Sequence, residues 1–283
     1  MFLYDFHNFF LGGQAILAGV SPYTVPDFLP PFPVAVIFAL VAWLPEWLVY
    51  LAYLVTCIWL LWKLLGRKCI WALLSFPVCF GLYVGQVDLL LTLLMVSIGP
   101  WALPLLIMKP QVGFVIAPWY IRRLTRKQII GTALITTIFL GICFLIRPTW
   151  LSEWINILPS VTTYARHDSN LHWFIPQTFT LAAYVVGIII SLPLSFLLKE
   201  RELSFTILHL FSPLSNIYSA SVLAEWIGPI EVLLSWIAVI IVGSIHSGAP
   251  LFVIGLSILI RFYLRERKNG NSIFLSLKKS TKE

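Results

Sequence analysis

The 283-residue chain is 59% hydrophobic and 11% charged, with a formal net charge of +7 and a mean hydropathy of +0.92. Soluble domains carry about 25% charge, and disordered chains combine low hydrophobicity with high charge, so both classes are excluded. The sequence also lacks the period-2 alternation of a membrane barrel, which leaves an all-α, polytopic integral membrane protein.

Residues 1–30 come first, a polar stretch with Asp5, His7, Asn8, Gln14 and Asp27 that ends in SPYTVPDFLPPFP. Apolar runs follow at 31–44, 47–65, 69–84, 87–108, 111–121 and 128–146. Crossing about 30 Å of hydrocarbon takes around 20 helical residues, so 47–65 and 128–146, with 177–198 and 229–246 further along, are the clear candidates to span. Segment 31–44 covers only about 21 Å as a helix. If it re-enters, residues 1–30 lie outside the cell; if it crosses, they lie inside. Residues 147–176 form a second polar loop with Arg147, Glu153, Arg166, His167, His172 and tryptophans at 150, 154 and 173. Tryptophan collects at membrane interfaces, so this loop is expected along one surface, with 151–158 a short interfacial helix. Further apolar runs at 177–198, 203–224, 229–246 and 250–264 precede a basic tail, 265–283. The pattern predicts one membrane domain of roughly eight to ten segments, several broken or re-entrant.

The basic residues cluster at Lys63–Lys68, Arg122–Lys127, Arg261–Lys268 and Lys278–Lys282, each after an apolar run. That is the positive-inside pattern of cytoplasmic edges rather than a nucleic-acid footprint. It places loops 1–30 and 147–176 on the extracytoplasmic side of a multi-pass cell-membrane protein. The opening MFLYDFHNFF has no basic n-region, so no signal peptide is expected. Cys57, Cys69, Cys79 and Cys143 sit in apolar runs without metal-like or redox spacing, and are expected as buried small hydrophobes. Neither a P-loop nor a dinucleotide fingerprint occurs, and HExxH and GxSxG are also missing. No metal or other cofactor is expected.

Lys109 stands out among these residues. It lies between Leu105–Met108 and Val112–Trp119, where a central charge costs about 2.5–3.5 kcal/mol. Pro110 disfavours helical geometry at Lys109, so a helix break is predicted there. The cation then needs an anionic partner, Asp88 or a ligand phosphate, or an escape to the interface. Gln86 and Asp88 are expected to face the same polar cavity.

Three ordered strings carry a resemblance. The first is Asp5-Phe-His7, then Ala15-Ile-Leu-Ala-Gly19-Val-Ser-Pro22-Tyr23 and Phe28-Leu-Pro30-Pro31. Gly85-Gln86 is the second, with Lys109-Pro110 beginning 23 residues after Gln86. The third is Ser212-Pro213-Leu-Ser-Asn216-Ile-Tyr218. Their order resembles the GT-C glycosyltransferases that use polyprenyl-phosphate sugars, in particular the bacterial α-mannosyltransferase-like family. Only four residues precede Asp5, where that family places a transmembrane helix, so the chain is expected to lack it.

The resemblance implies a GT-C-like fold and transfer of a sugar, mannose first, from a polyprenyl-phosphate donor to a lipid or glycan acceptor. Under it Asp5 is the general base, with His7 available to orient it. Lys109, Arg166 and His167 meet the donor phosphate, and Gln86, Asn216 and Tyr218 line the sugar or donor groove. The other reading is a non-catalytic membrane protein: a transporter, a lipid-binding scaffold or a truncated relative of the enzyme. A solvated loop face accounts for Arg166 and His167 in that case, and helix packing for Asn216 and Tyr218.

Overall fold

A computed structural model describes residues 3–158, 180–212, 218–242 and 252–269, and every regular element among them is helical. The first helices are α1 (Tyr4–Leu17), α2 (Phe32–Ala39), α3 (Glu46–Leu65), α4 (Cys69–Leu74), α5 (Phe76–Val84) and α6 (Asp88–Ile98). A 3-10 segment, Gly99–Met108, follows α6 and packs back against it. Then come α7 (Pro110–Ile121), α8 (Arg126–Ile146), α9 (150–158), α10 (Thr180–Leu197) and α11 (Arg201–Leu210). A further 3-10 segment, Ser219–Trp226, leads to α12 (Pro229–Val242) and α13 (Phe252–Lys268).

Among the described residues, three helical runs are by length and composition apolar enough to cross a membrane: Glu46–Leu74, Asp88–Met108 and Arg126–Ile146, the second of which bends at Gly99 so that its two ends meet at the Lys109–Asp88 pair. Val185–Leu197 and Pro229–Ile241 are apolar but shorter. Local chemistry sets several of the boundaries. Thr125 closes a capping box with Gln128 at the start of α8, satisfying donors that the first turn leaves free. Glu46 lies in the first turn of α3 and Lys63 in the last, each opposing the helix dipole. α2 has 8 residues, about 12 Å at 1.5 Å per residue, and cannot cross. It lies against α1, where Gly13 allows the approach: a Cβ there would sit 2.7 Å from the Phe38 carbonyl carbon.

The first polar stretch departs from the expected loop. Tyr4–Leu17 is a 14-residue helix that buries Phe6, Phe9 and Phe10, an i, i+3, i+4 stripe that makes one apolar face. Two further expectations need correction. Cys79 is exposed, whereas Cys57, Cys69 and Cys143 are buried. Trp150 is a core residue rather than an interfacial one, stacked on Phe32 at 5.9 Å and 4% exposed. The helix expected at 151–158 does form, as α9.

Side chains tie the elements together at two ends of α8. At its C-terminal end Glu153 receives Arg147 Nε at 2.8 Å and Ser21 Oγ at 2.6 Å, and Trp154 Nε1 donates to the Leu29 carbonyl at 3.3 Å. The Arg147 guanidinium, aided by hydroxyl donors, holds Glu153 down at about 2. Residues 18–30 and α9 thus share one end of α8. Near the other end Arg122 donates to the Ser195 and Phe196 carbonyls at 2.8 and 2.7 Å, and Arg123 to the Lys199 carbonyl at 2.9 Å. These guanidiniums satisfy carbonyls that α10 leaves unpaired at its C-terminus. The 21 residues of α8 separate the ends by about 31 Å.

This two-ended arrangement sets an accessibility pattern. In a variant without native cysteines, Val20→Cys and Ser152→Cys will react with a membrane-impermeant maleimide from one side. Lys127→Cys and Lys199→Cys will react from the other. Labelling of Val20→Cys and Lys127→Cys from the same side would contradict the fold.

Candidate functional site

The α5–α6 turn is built around Gly85. Its φ of +79 closes α5 in the left-handed conformation, which glycine adopts without a Cβ penalty. Phe6 of α1 packs directly on it, so that a Cβ at position 85 would lie 2.3 Å from Phe6 Cβ. Phe6 in turn meets the Phe38, Tyr50 and Tyr53 rings at 5.2–5.8 Å. Tyr50 and Tyr53 donate to the Leu82 and Gln86 carbonyls at 2.8 and 2.5 Å, supplying partners for the end of α5. These contacts deliver Asp5, one residue before Phe6, to the turn that carries Gln86.

Lys109 occupies the break expected of it. With φ −142 and ψ 82 it is extended, and Pro110 opens α7, where its missing N–H is no loss. Asp88 opens α6. Lys109 Nζ pairs with Asp88 Oδ1 at 3.1 Å and donates to Gln86 Oε1. The three are almost wholly enclosed, at 7%, 0% and 3% exposure for Lys109, Asp88 and Gln86. A carboxylate at a helix N-terminus is favoured by the dipole, and a cation there is not, so Asp88 and Gln86 must supply what holds Lys109. Among the described residues neither Asp88 oxygen makes a hydrogen bond of good geometry. The carboxylate therefore depends on the charge of Lys109. The Tyr218 ring lies 5.1 Å from Nζ and the Phe9 ring 6.0 Å, within the range of cation–π attraction.

Asp5 stands beside this group, on α1 and outside the three apolar runs, half-buried. Burial raises its pKa above the usual carboxylate value; Lys109 and a hydrogen bond from Gln86 oppose that rise, and Asp88 adds to it. His7 faces away, bonded through Nδ1 to Glu46 at 3.0 Å. The fold thus joins Asp5, Gln86, Asp88, Lys109 and Tyr218 in one cluster and leaves His7 aside. Instead of lining an open cavity, Gln86 and Asp88 close on Lys109. Arg166, His167 and Asn216 lie outside the described residues.

Sequence reading missed Tyr53, Phe6 and Phe9 as parts of this cluster. Tyr50 and Tyr53, three apart and so on one face of α3, were the available signal for the first. The Phe6-Phe9-Phe10 spacing was the signal for the other two. Among the described residues no group of three or more His, Cys, Asp and Glu is arranged to hold a metal ion.

Comparison with models of known protein families, with curated proteins and with solved structures returns no match.

Two substitutions isolate the contacts that hold the cluster. Gly85→Ala adds left-handed strain to a collision with Phe6 and should cost about 2–5 kcal/mol. Gly19→Ala, at φ +73 with open space around it, should cost only about 1–2 kcal/mol. Thermal unfolding in detergent will show whether Gly85→Ala is the more destabilised. Lys109→Met strands a buried carboxylate and should lose about 3–5 kcal/mol, whereas Lys109→Met with Asp88→Asn should recover most of that loss. Equal losses in the two would show that the pair does not set stability.

Proposed function

We propose that this chain is an integral-membrane, GT-C-like glycosyltransferase. It moves a sugar, mannose first, from a polyprenyl-phosphate donor to a lipid or glycan acceptor. The observation that carries the reading is that Phe6, packed on Gly85, brings Asp5 to the turn beside the Lys109–Asp88 pair. A carboxylate and an ammonium from distant parts of the chain converge at a helix break beside apolar spans. Sugar transfer from a lipid phosphate needs one base and one cation, without a nucleotide or a metal ion.

In this mechanism the Asp5 carboxylate takes the proton of the acceptor hydroxyl as that oxygen attacks the anomeric carbon. The bond from that carbon to the phosphate oxygen breaks, and polyprenyl phosphate leaves with the bonding electrons. Lys109, still paired with Asp88, directs a remaining N–H toward the phosphate and stabilises the charge it gains. Tyr218 flanks the ammonium throughout. Arg166 and His167 add positive charge for the phosphate, and Asn216 lines the donor groove with Gln86. The site faces the extracytoplasmic side, at the end that carries α1, α2 and α9, in a multi-pass domain of roughly eight to ten segments. The basic clusters at 63–68, 122–127 and 261–268 face the cytoplasm.

The enclosure of Lys109 by Asp88 and Gln86 also favours a second reading. In a non-catalytic membrane protein, a transporter or a lipid-binding scaffold, the same pair serves only to neutralise two buried charges.

Turnover separates the two. Protein reconstituted in lipid and supplied with polyprenyl-phosphate mannose and a lipid acceptor should transfer sugar. Asp5→Asn should lower that rate by about 10²–10⁴-fold with an unchanged unfolding temperature. Near-normal turnover in Asp5→Asn would remove Asp5 from the chemistry, and a wild-type protein without turnover on polyprenyl-phosphate sugars would favour the non-catalytic reading.

A further inference from the structure

Trp119 and Arg122 sit at the C-terminal end of α7, which packs against α10. The neighbouring guanidiniums bond mainly to backbone carbonyls. Arg122 Nη1 donates to Ser195 and Phe196, and Arg123 donates to Trp119 at 3.1 Å and Lys199 at 2.9 Å. The open carbonyls of helix ends explain those bonds, but two donors are left over. Trp119 Nε1 and Arg122 Nη2 are buried without a hydrogen-bond partner among the described residues, a condition that buried polar groups rarely keep.

The charges are unbalanced as well. Arg201, 5.8 Å from the Trp119 ring, is paired with Glu225 at 2.5 Å. Arg122 and Arg123 lie 5.9 and 3.7 Å from the same ring, yet neither makes an ion pair among the described residues. Beside these cations Ile121, Phe196 and Leu197 are exposed. An apolar rim next to uncompensated guanidiniums and an indole N–H complements a molecule with acyl chains and an anionic phosphate. Tryptophan and basic residues meet such phosphates at headgroup level.

We propose that the end of α7 against α10 binds an anionic phospholipid, whose phosphate accepts from Arg122, Arg123 and Trp119. A guanidinium can hold phosphate through two parallel N–H bonds, and its acyl chains lie along Ile121, Phe196 and Leu197. Trp119 and Arg122 are half-buried and Arg123 is exposed, so a side-chain rotation brings the unused donors to the surface. The 12 residues of α7 set this site about 18 Å from Lys109, and nothing in it depends on sugar transfer.

Native mass spectrometry of the full chain in detergent reads the lipid retained on the protein. Phosphatidylglycerol should stay bound at concentrations where phosphatidylcholine, whose headgroup has no net charge, does not. Arg122→Gln with Arg123→Gln should weaken retention about 25-fold, at about fivefold for each cation. Arg126→Gln with Lys127→Gln removes the same charge from the start of α8 and should weaken it by no more than about twofold. Trp119→Phe keeps the ring beneath Arg123 and removes only the N–H. It should cost about tenfold, and it carries the test if the double arginine variant does not fold. Equal weakening by the two double variants would overturn the proposal, because diffuse charge would then suffice. Unchanged retention in folded Trp119→Phe, or equal retention of the two lipids, would overturn it too. Displacement of phosphatidylglycerol by inorganic phosphate alone would make this a site for a free anion and discard the lipid.

Discussion

A charge inside apolar surroundings must find its opposite, and the rest of this fold is arranged around that requirement at Lys109. Its ammonium is enclosed by Asp88 and Gln86, and neither charge could stay buried without the other. The pair requires that α6 and α7 present their N-termini to one another. The chain achieves this by leaving α-geometry after Ile98, running as a 3-10 segment to Met108, and restarting at Pro110. A continuous helix through Lys109 would carry the two N-terminal groups apart.

Around that pair the aromatic residues supply shape. Phe6 seats α1 on Gly85, and Tyr50 and Tyr53 occupy the last carbonyls of α5. Their polar tips act as hydrogen-bond donors within an apolar cluster, the use to which buried tyrosine is suited. Toward the basic clusters the same requirement is met again. Glu231 is 1% exposed and accepts from Arg261 at 2.9 Å, Ser257 at 2.9 Å and the Gly228 N–H at 2.8 Å. Arg265 reaches Glu202 at 2.9 Å. These contacts fasten α13 to α11 and α12 through charge, where aliphatic packing alone would leave its register loosely specified.

Much of the fold was legible one residue at a time. Pro110 marked the break at Lys109, and the apolar run 128–146 marked α8. The weak length of 31–44 raised the re-entrant alternative, and the eight residues of α2 are too few to cross. Asp88 was recognisable as a possible partner for Lys109 because both charges interrupt apolar runs. The failures share one cause. Asp5, His7, Asn8 and Gln14 made 1–30 look like a loop, although Phe6, Phe9 and Phe10 already traced a helical face. Trp150 suggested the interface by residue type, but Phe32 and Cys143 enclose it.

By itself the sequence determined the class of the molecule, the places where its helices begin and break, and the few charges that apolar surroundings must accommodate. These follow from composition, from proline and glycine, and from the cost of burying charge, all of which are local. Only the tertiary structure decided that Phe6 packs on Gly85, that Asp5 is thereby brought to the turn carrying Gln86, and that residues 18–30 share an end with α9. The physical reason is that lipid-facing and core-facing surfaces are both apolar here. Helical periodicity then carries little record of which face meets which neighbour, and the pairing rests on close contacts between side chains far apart in the chain.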